Sequence, residues 1–175
     1  MIFSRSAPSA ACIRHLARRL LPCLALCMAL FLTGCGSKVI APSGRTAQEV
    51  APAKALQVTA TARKQLGVSY RYGGNAPSGF DCSGLIWWAY RQHGLAVPRV
   101  TTDQAKAGRG VTLAQARPGD ILVFKAGSGL HTGLYAGGGI FIHAPSSGKR
   151  VQEESVSNTY WRPRLKAVRR IIVNG

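Results

Sequence analysis

Acidic residues are scarce, with 6 Asp and Glu against 23 Lys and Arg in 175 residues, a formal net charge of +17. Such a balance points to anionic surroundings: nucleic acid, lipid headgroups or the carboxylates of a wall polymer. A run long enough to span a membrane is also missing. The apolar stretch Leu20 to Leu32 holds 13 residues, short of the roughly 20 that a spanning helix needs. Cysteine is sparse beyond Cys35, where Cys82 stands alone; an internal disulfide is excluded there. No internal repeat is visible. What is present is ordinary: 46% hydrophobic and 17% charged residues describe a globular protein and exclude a wholly disordered chain.

The N-terminal region has the order of an export signal: residues 1–19 carry only positive charge, the apolar run follows, and small residues close it. Leu32-Thr33-Gly34-Cys35 resembles the bacterial lipobox, in which the cysteine is acylated and becomes the new N-terminus after cleavage. The resemblance implies a signal peptide over 1–34, a lipoprotein carrying palmitate-type acyl chains at Cys35, and a membrane anchor through that lipid. Gly36 is not aspartate, which implies an outer-membrane location facing the periplasm. Reading Cys35 as one more cysteine beside Cys12, Cys23 and Cys27 ignores its place directly after the small residues. Nucleic acid is then not an expected partner. Four of the basic residues precede Cys35, so 19 against 6 remain, a net +13 over the 141 residues from Cys35 on. That length makes one domain.

Residues 35–52 are rich in Gly, Ser, Pro and Ala without a sustained period and read as a tether, leaving 53–175 as the folded domain. Ala55, Val58, Ala62 and Leu66 share one helical face, with Pro52 suited to a first turn and Gly67 to the close. Tyr70 to Gly79 is a shaped loop. A second helix runs from Asp81 or Cys82 to His93, with Gly94 as its cap. Cys82 therefore sits in a first turn, where unpaired N–H groups and the helix dipole favour thiolate over thiol. The alternative is an inert cysteine packed among Leu85, Ile86, Trp87 and Trp88.

A nucleophilic thiol needs a base. His93 lies at the far end of the same helix, which leaves His131 and His143. Asp120 to Phe124 reads as a buried strand after the turn Pro118-Gly119, and the apolar segments around Gly137-Gly138-Gly139 as a hairpin. Its arms bring His131 and His143 within a residue or two of opposite positions, so that one can serve as base and the other fix its tautomer. A three-ligand metal site is the competing reading; the close cysteine spacings and fourth ligand of a structural zinc are absent. No metal and no cofactor are expected.

These residues stand in a longer series. Gly67-Val68-Ser69-Tyr70-Arg71-Tyr72-Gly73-Gly74, Phe80-Asp81-Cys82-Ser83-Gly84-Leu85, Val97 to Gln104, Arg117 to Phe124, His131-Thr132-Gly133-Leu134-Tyr135 and Phe141-Ile142-His143-Ala144 follow in order. From about Ala55 to the C-terminus the chain resembles the NlpC/P60 family of cysteine peptidases. The resemblance implies a papain-like α+β fold, its nucleophile helix packed on an antiparallel sheet, and hydrolysis of peptide bonds in bacterial peptidoglycan. It implies Cys82 as nucleophile, His131 as general base and then acid, and His143 as orienter. Tyr70, Asp81 and Ser83 become substrate-binding or oxyanion-stabilising groups; Asp81 or Ser83 can equally cap the helix.

The expected partners are peptidoglycan stem peptides, with a monomer as the expected state. Two bonds compete, D-Ala to meso-diaminopimelate, which is favoured, and γ-D-Glu to meso-diaminopimelate. A non-catalytic wall-binding lipoprotein is the alternative from another class, and an acyltransferase or amidase on the same scaffold is the third. Thr101 and Gln104 have capping-box spacing for a short helix, which makes Thr101, Thr102 and Asp103 structural. Arg99 is left without a role. Of Trp87 and Trp88, adjacent on one helix, one can line a groove while the other packs. The tail Arg162 to Arg170 reads as a solvated charged face.

Overall fold

The computed structural model describes residues 47–172; the expected signal, Cys35 and most of the expected tether lie outside them. The first helix, α1 (Ala47–Arg63), takes in the last residues assigned to the tether, so Pro52 falls inside it and not in its first turn. Val58 and Ala62 are fully buried, as the one-faced pattern requires. Leu66 lies past the helix end and is 42% exposed, so the face does not reach that far. Gly67 makes the exit with φ +86°, and its N–H donates to the Val151 carbonyl at 2.9 Å.

The Tyr70–Gly79 segment contains a minimal hairpin that the loop reading omits. Strand β1 (Asn75–Ala76) pairs antiparallel with β2 (Gly79–Phe80), and Tyr70 is stitched to Phe80 by a separate bridge. The hairpin hands the chain to α2 (Cys82–Arg91), which starts where predicted and stops two residues short of His93. A one-turn helix, α3 (Thr101–Gln104), follows. Its cap is Val100, without a side-chain hydrogen bond, so the expected Thr101–Gln104 capping box does not form. Gln104 instead turns inward and donates to the carbonyls of Ser83 and Pro98 at 3.0 and 2.9 Å.

Six antiparallel strands make the sheet: β3 (Arg109–Val111), β4 (Ile121–Ala126), β5 (Gly129–Gly137), β6 (Ile140–His143), β7 (Gln152–Ser155) and β8 (Leu165–Arg170). Their order is β3-β8-β4-β5-β6-β7, so the last strand lies between the first two. Both faces are covered, which is why Ile121-Leu122-Val123-Phe124 is a continuous apolar run and not an alternation. Ile121, Val123, Leu134 and Ile142 pack against Val58 of α1 and Leu85, Ile86 and Ala89 of α2. Leu122, Phe124, Tyr135, Phe141 and Val168 face the other way, onto Val156 and Trp161. Each fully buried aliphatic or aromatic side chain here contributes about 1.5–3 kcal/mol.

Two polar contacts lock this frame. Tyr90 donates its hydroxyl to the Gly119 carbonyl at 2.6 Å, joining α2 to the turn before β4. Arg170 on β8 makes a two-pronged pair with Asp120, at 2.9 and 2.7 Å, with both side chains buried. The tail is therefore not wholly a solvated face. Arg169 is also engaged, donating to the carbonyls of Lys106, Ala107 and Gly108.

Candidate active site

Asp81 starts α2 from an extended conformation, and its Oδ1 accepts from the Gly84 N–H at 2.6 Å while its carbonyl accepts from Leu85. The carboxylate thus serves as N-cap. Arg99 grips the same group, with Nη1 at 3.0 Å from Oδ1 and Nη2 at 2.8 Å from Oδ2. The guanidinium also reaches Ser83 Oγ at 3.1 Å and the Gly74 carbonyl at 3.2 Å, tying helix start, hairpin and the segment before α3 together. Gly84 has to be glycine here: a Cβ would collide with the Gly74 carbonyl oxygen.

These contacts give two expected site residues a structural part as well. Ser83 is 4% exposed and its hydroxyl donates to Asp81 at 3.2 Å. Asp81 keeps partial exposure, but its oxygens are committed to the cap and to Arg99. Both residues build the helix start, and Arg99 acquires the role that its sequence position left open.

Cys82 is the first residue of α2 and partly exposed. As the opening residues of a helix, Cys82 and Ser83 have N–H groups without an acceptor inside it. The Sγ atom lies 3.6 Å from Thr101 Oγ1, a hydroxyl–sulfur contact that the capping reading of Thr101 hid. Tyr70 donates its N–H to the Lys149 carbonyl at 2.9 Å, while its neighbours Ser69 and Arg71 exchange backbone bonds with Phe80. Burial first, and then the negative charges of Cys82 and Asp81 and the neighbouring Tyr72, hold its hydroxyl above the usual tyrosine range. Tyr70 therefore stays a hydrogen-bond donor at neutral pH.

The histidines meet as the hairpin predicts. Leu134 pairs with Ile142 across β5 and β6, so one step further Gly133 stands opposite His143 and leaves room for its ring. A Cβ on Gly133 would strike the Phe141 ring. His131 Nε2 lies 2.8 Å from His143 Nδ1, with the rings at 84°. His131 also stacks on Trp161 at a centroid distance of 5.1 Å and an angle of 27°. His131 is 4% exposed and His143 fully buried. Burial pushes His131 down to about 4; burial and then the neighbouring His131 push His143 down to about 3. Both rings are neutral at pH 7.

His143 Nε2 faces the Glu154 carboxylate at 3.3 Å, within ion-pair range but off line for a hydrogen bond. Glu154 and Trp161, neither legible as site residues in the sequence, complete this polar pocket. Beside it opens a cleft of about 520 Å³, lined by His131, Lys149, Glu154, Asn158, Tyr160 and Trp161 among others. Among the described residues no hydrogen bond joins Cys82 to either histidine; its sulfur contact is to Thr101. The histidines share the sheet face of Phe124 and Trp161, while the body of α2 packs on the other. Bonds between a nucleophile and its base are commonly long without substrate and shorten in the complex.

Helices on one face of an antiparallel sheet, a cysteine leading a helix and coupled histidines on adjacent strands define a papain-like α+β protein. The profile of the NlpC/P60 family matches residues 67–170, and the chain belongs to that family. It is 42% identical over 109 residues to the γ-D-glutamyl-L-lysine dipeptidyl-peptidase of Bacillus subtilis (strain 168), covering 60% of this chain and 37% of that protein. It is 41% identical over 108 residues to the murein DD-endopeptidase MepS/murein LD-carboxypeptidase of Escherichia coli (strain K12), covering 61% and 57%. The chain thus spans about a third to just over half the length of these two curated relatives. The probable endopeptidase NlpC of E. coli (strain K12) matches along 85% of this chain and 98% of its own, at 38% identity. Among solved structures, the peptidoglycan hydrolase RipB of Mycobacterium tuberculosis superposes with a TM-score of 0.62 at 33% identity, over 70% of this chain and 67% of that one.

Proposed function

We propose that the protein is a peptidoglycan hydrolase, a cysteine endopeptidase that cuts murein stem-peptide or cross-link bonds through a thiol acyl-enzyme. The observation that carries this reading is the neutral, buried His131–His143 pair in the domain that also presents Cys82 at a helix N-terminus. Cys82 gives its proton to His131 and attacks the carbonyl carbon. The oxyanion is met by the N–H groups at the start of α2 and by the Tyr70 hydroxyl, and His131 returns the proton to the leaving amine. Water, deprotonated by the same ring, then opens the thioester and frees the acid. His143 holds His131 throughout.

The bond between D-Ala and meso-diaminopimelate is the favoured substrate, in line with the name of the E. coli DD-endopeptidase. The B. subtilis relative's name speaks for γ-D-glutamyl bonds as the second choice. The proposal includes a lipid anchor at Cys35, on the strength of Leu32-Thr33-Gly34-Cys35, which holds the enzyme at the outer membrane facing the periplasm.

Mass spectrometry of muropeptides after digestion of purified peptidoglycan tests the reading, with Cys82→Ala as control. Conversion of cross-linked dimers to monomers identifies the D-Ala bond, and shortened stems identify the γ-D-Glu bond. An unchanged muropeptide pattern defeats the hydrolase reading and leaves wall binding as the better account, whereas cleavage that survives Cys82→Ala defeats the assignment of Cys82 as nucleophile.

A further inference from the structure

Glu154 lies outside the residues to which the proposed chemistry assigns a part, yet its carboxylate is fixed from several sides. Strand β7 pairs with β6 so that Gln152 stands opposite His143 and Glu154 opposite Phe141. Alternation puts Gln152 and Glu154 on the histidine face, while Glu153 turns away and pairs with Arg63 at 2.7 Å. Gln152 Nε2 donates to Glu154 Oε1, and Trp161 Nε1 donates to Oε2. Oε1 then stands 3.3 Å from His143 Nε2, a buried nitrogen with no hydrogen-bond partner of its own. The other polar contact of the His143 ring is Nδ1 to His131 Nε2 at 2.8 Å.

We infer that Glu154 is a positioning residue that selects the tautomers of both histidines and so leaves the correct nitrogen of His131 free to act as base. The inference rests on the hydrolase reading above and deepens it. A neutral imidazole has one N–H and one lone pair. A nitrogen facing a carboxylate carries the proton, which places the hydrogen of His143 on Nε2. Its Nδ1 is then an acceptor and takes the Nε2–H of His131. The Nδ1 of His131 is left with a lone pair, the group that accepts the Cys82 proton.

The opposite arrangement fails on both counts. With the proton of His143 on Nδ1, its Nε2 lone pair would face the carboxylate, two acceptors in a buried site. His131 would carry its proton on Nδ1 and have no lone pair left for the thiol. The proton count closes through the cycle: Nδ1 of His131 gains the thiol proton, the cation is balanced across His143 by the fixed carboxylate, and the same proton leaves with the amine. Glu154 neither gains nor loses a proton. Glutamine cannot replace it, because Trp161, Gln152 and His143 all present N–H donors and an amide offers one acceptor oxygen to them.

The experiment is long-range proton–nitrogen correlation spectroscopy of the histidine rings in the full chain at pH 7, with digestion kinetics of wild type, Glu154→Gln, Glu154→Ala and Glu154→Asp. The expected result is Nε2–H for both His131 and His143 in the wild type. Glu154→Gln then lowers kcat tenfold or more with KM within twofold and moves ring protons toward Nδ1, and Glu154→Asp recovers part of kcat. A wild-type His143 protonated on Nδ1 overturns the inference whether or not any variant folds, as does full kcat in both Glu154→Gln and Glu154→Ala. A wild type that leaves murein intact defeats the hydrolase reading instead, a result the ring spectra do not share.

Discussion

Thr101 is the side chain nearest in kind to a partner for the Cys82 sulfur, at 3.6 Å, and nothing in its sequence context announces it. A hydroxyl donating to sulfur stabilises the thiolate that attacks. Thr101→Val keeps the shape and removes that donor, and a three- to tenfold fall in kcat/KM is expected, read from initial rates on soluble muropeptides. The histidines set the pH response. His131 works as base only while unprotonated, and burial holds it neutral down to about 4. Activity on the acid side therefore persists well below the usual histidine range of about 6.5 and falls as pH drops through about 4; a kcat/KM profile with its acid limb near 6.5 would refute the burial argument.

Elements whose signals are local were legible and those held by distant contacts were not. The start of α2 was readable because Asp81 caps it and the chemistry of a first turn needs no neighbours. The β5–β6 hairpin was readable because three consecutive glycines, all with positive φ, mark its turn, and the two histidines followed from its arms. Strand β8, Leu-Lys-Ala-Val-Arg-Arg, reads as a basic tail because its charges hide the alternation, and only Asp120, fifty residues away in sequence, explains a buried Arg170. Glu154 and Arg99 escaped for the same reason: their partners are brought to them by the fold. Inward rotation of Gln104 likewise undid a capping box that spacing alone suggested. The Asp120–Arg170 pair can be weighed directly. Asp120→Ala leaves a buried guanidinium unpaired on β8 and should cost about 3–5 kcal/mol in urea-induced unfolding, whereas a loss under 1 kcal/mol would show that β8 is held by packing alone.

At the scale of the whole molecule, four of the described carboxylates are engaged by basic side chains. Asp81 pairs with Arg99, Asp120 with Arg170 and Glu153 with Arg63, while Glu154 faces His143. Lys106, Arg109, Arg117, Lys149 and Arg162 are exposed and add to the excess of positive charge. Attraction to a polyanion, such as the wall of the proposed substrate, is expected, and so is its screening, since the Debye length shrinks from about 10 Å at 0.1 M salt to about 3 Å at 1 M. Rates on insoluble peptidoglycan should fall about tenfold between 0.05 and 0.5 M salt while those on small soluble muropeptides change less than twofold. Equal salt dependence on the two substrates would show that surface charge plays no part in capture.

The place of β8 inside the sheet also governs the order in which the fold can close. Leu165–Arg170 is the last strand in chain order, yet it separates β3 from β4 and carries the partner of Asp120. A chain in which that strand has not yet docked has no neighbour for β3 and leaves the other edge of β4 unpaired. Pairings between segments so far apart in sequence form late in folding. The sheet that carries both histidines therefore reaches its full width only when β8 has taken its place between β3 and β4.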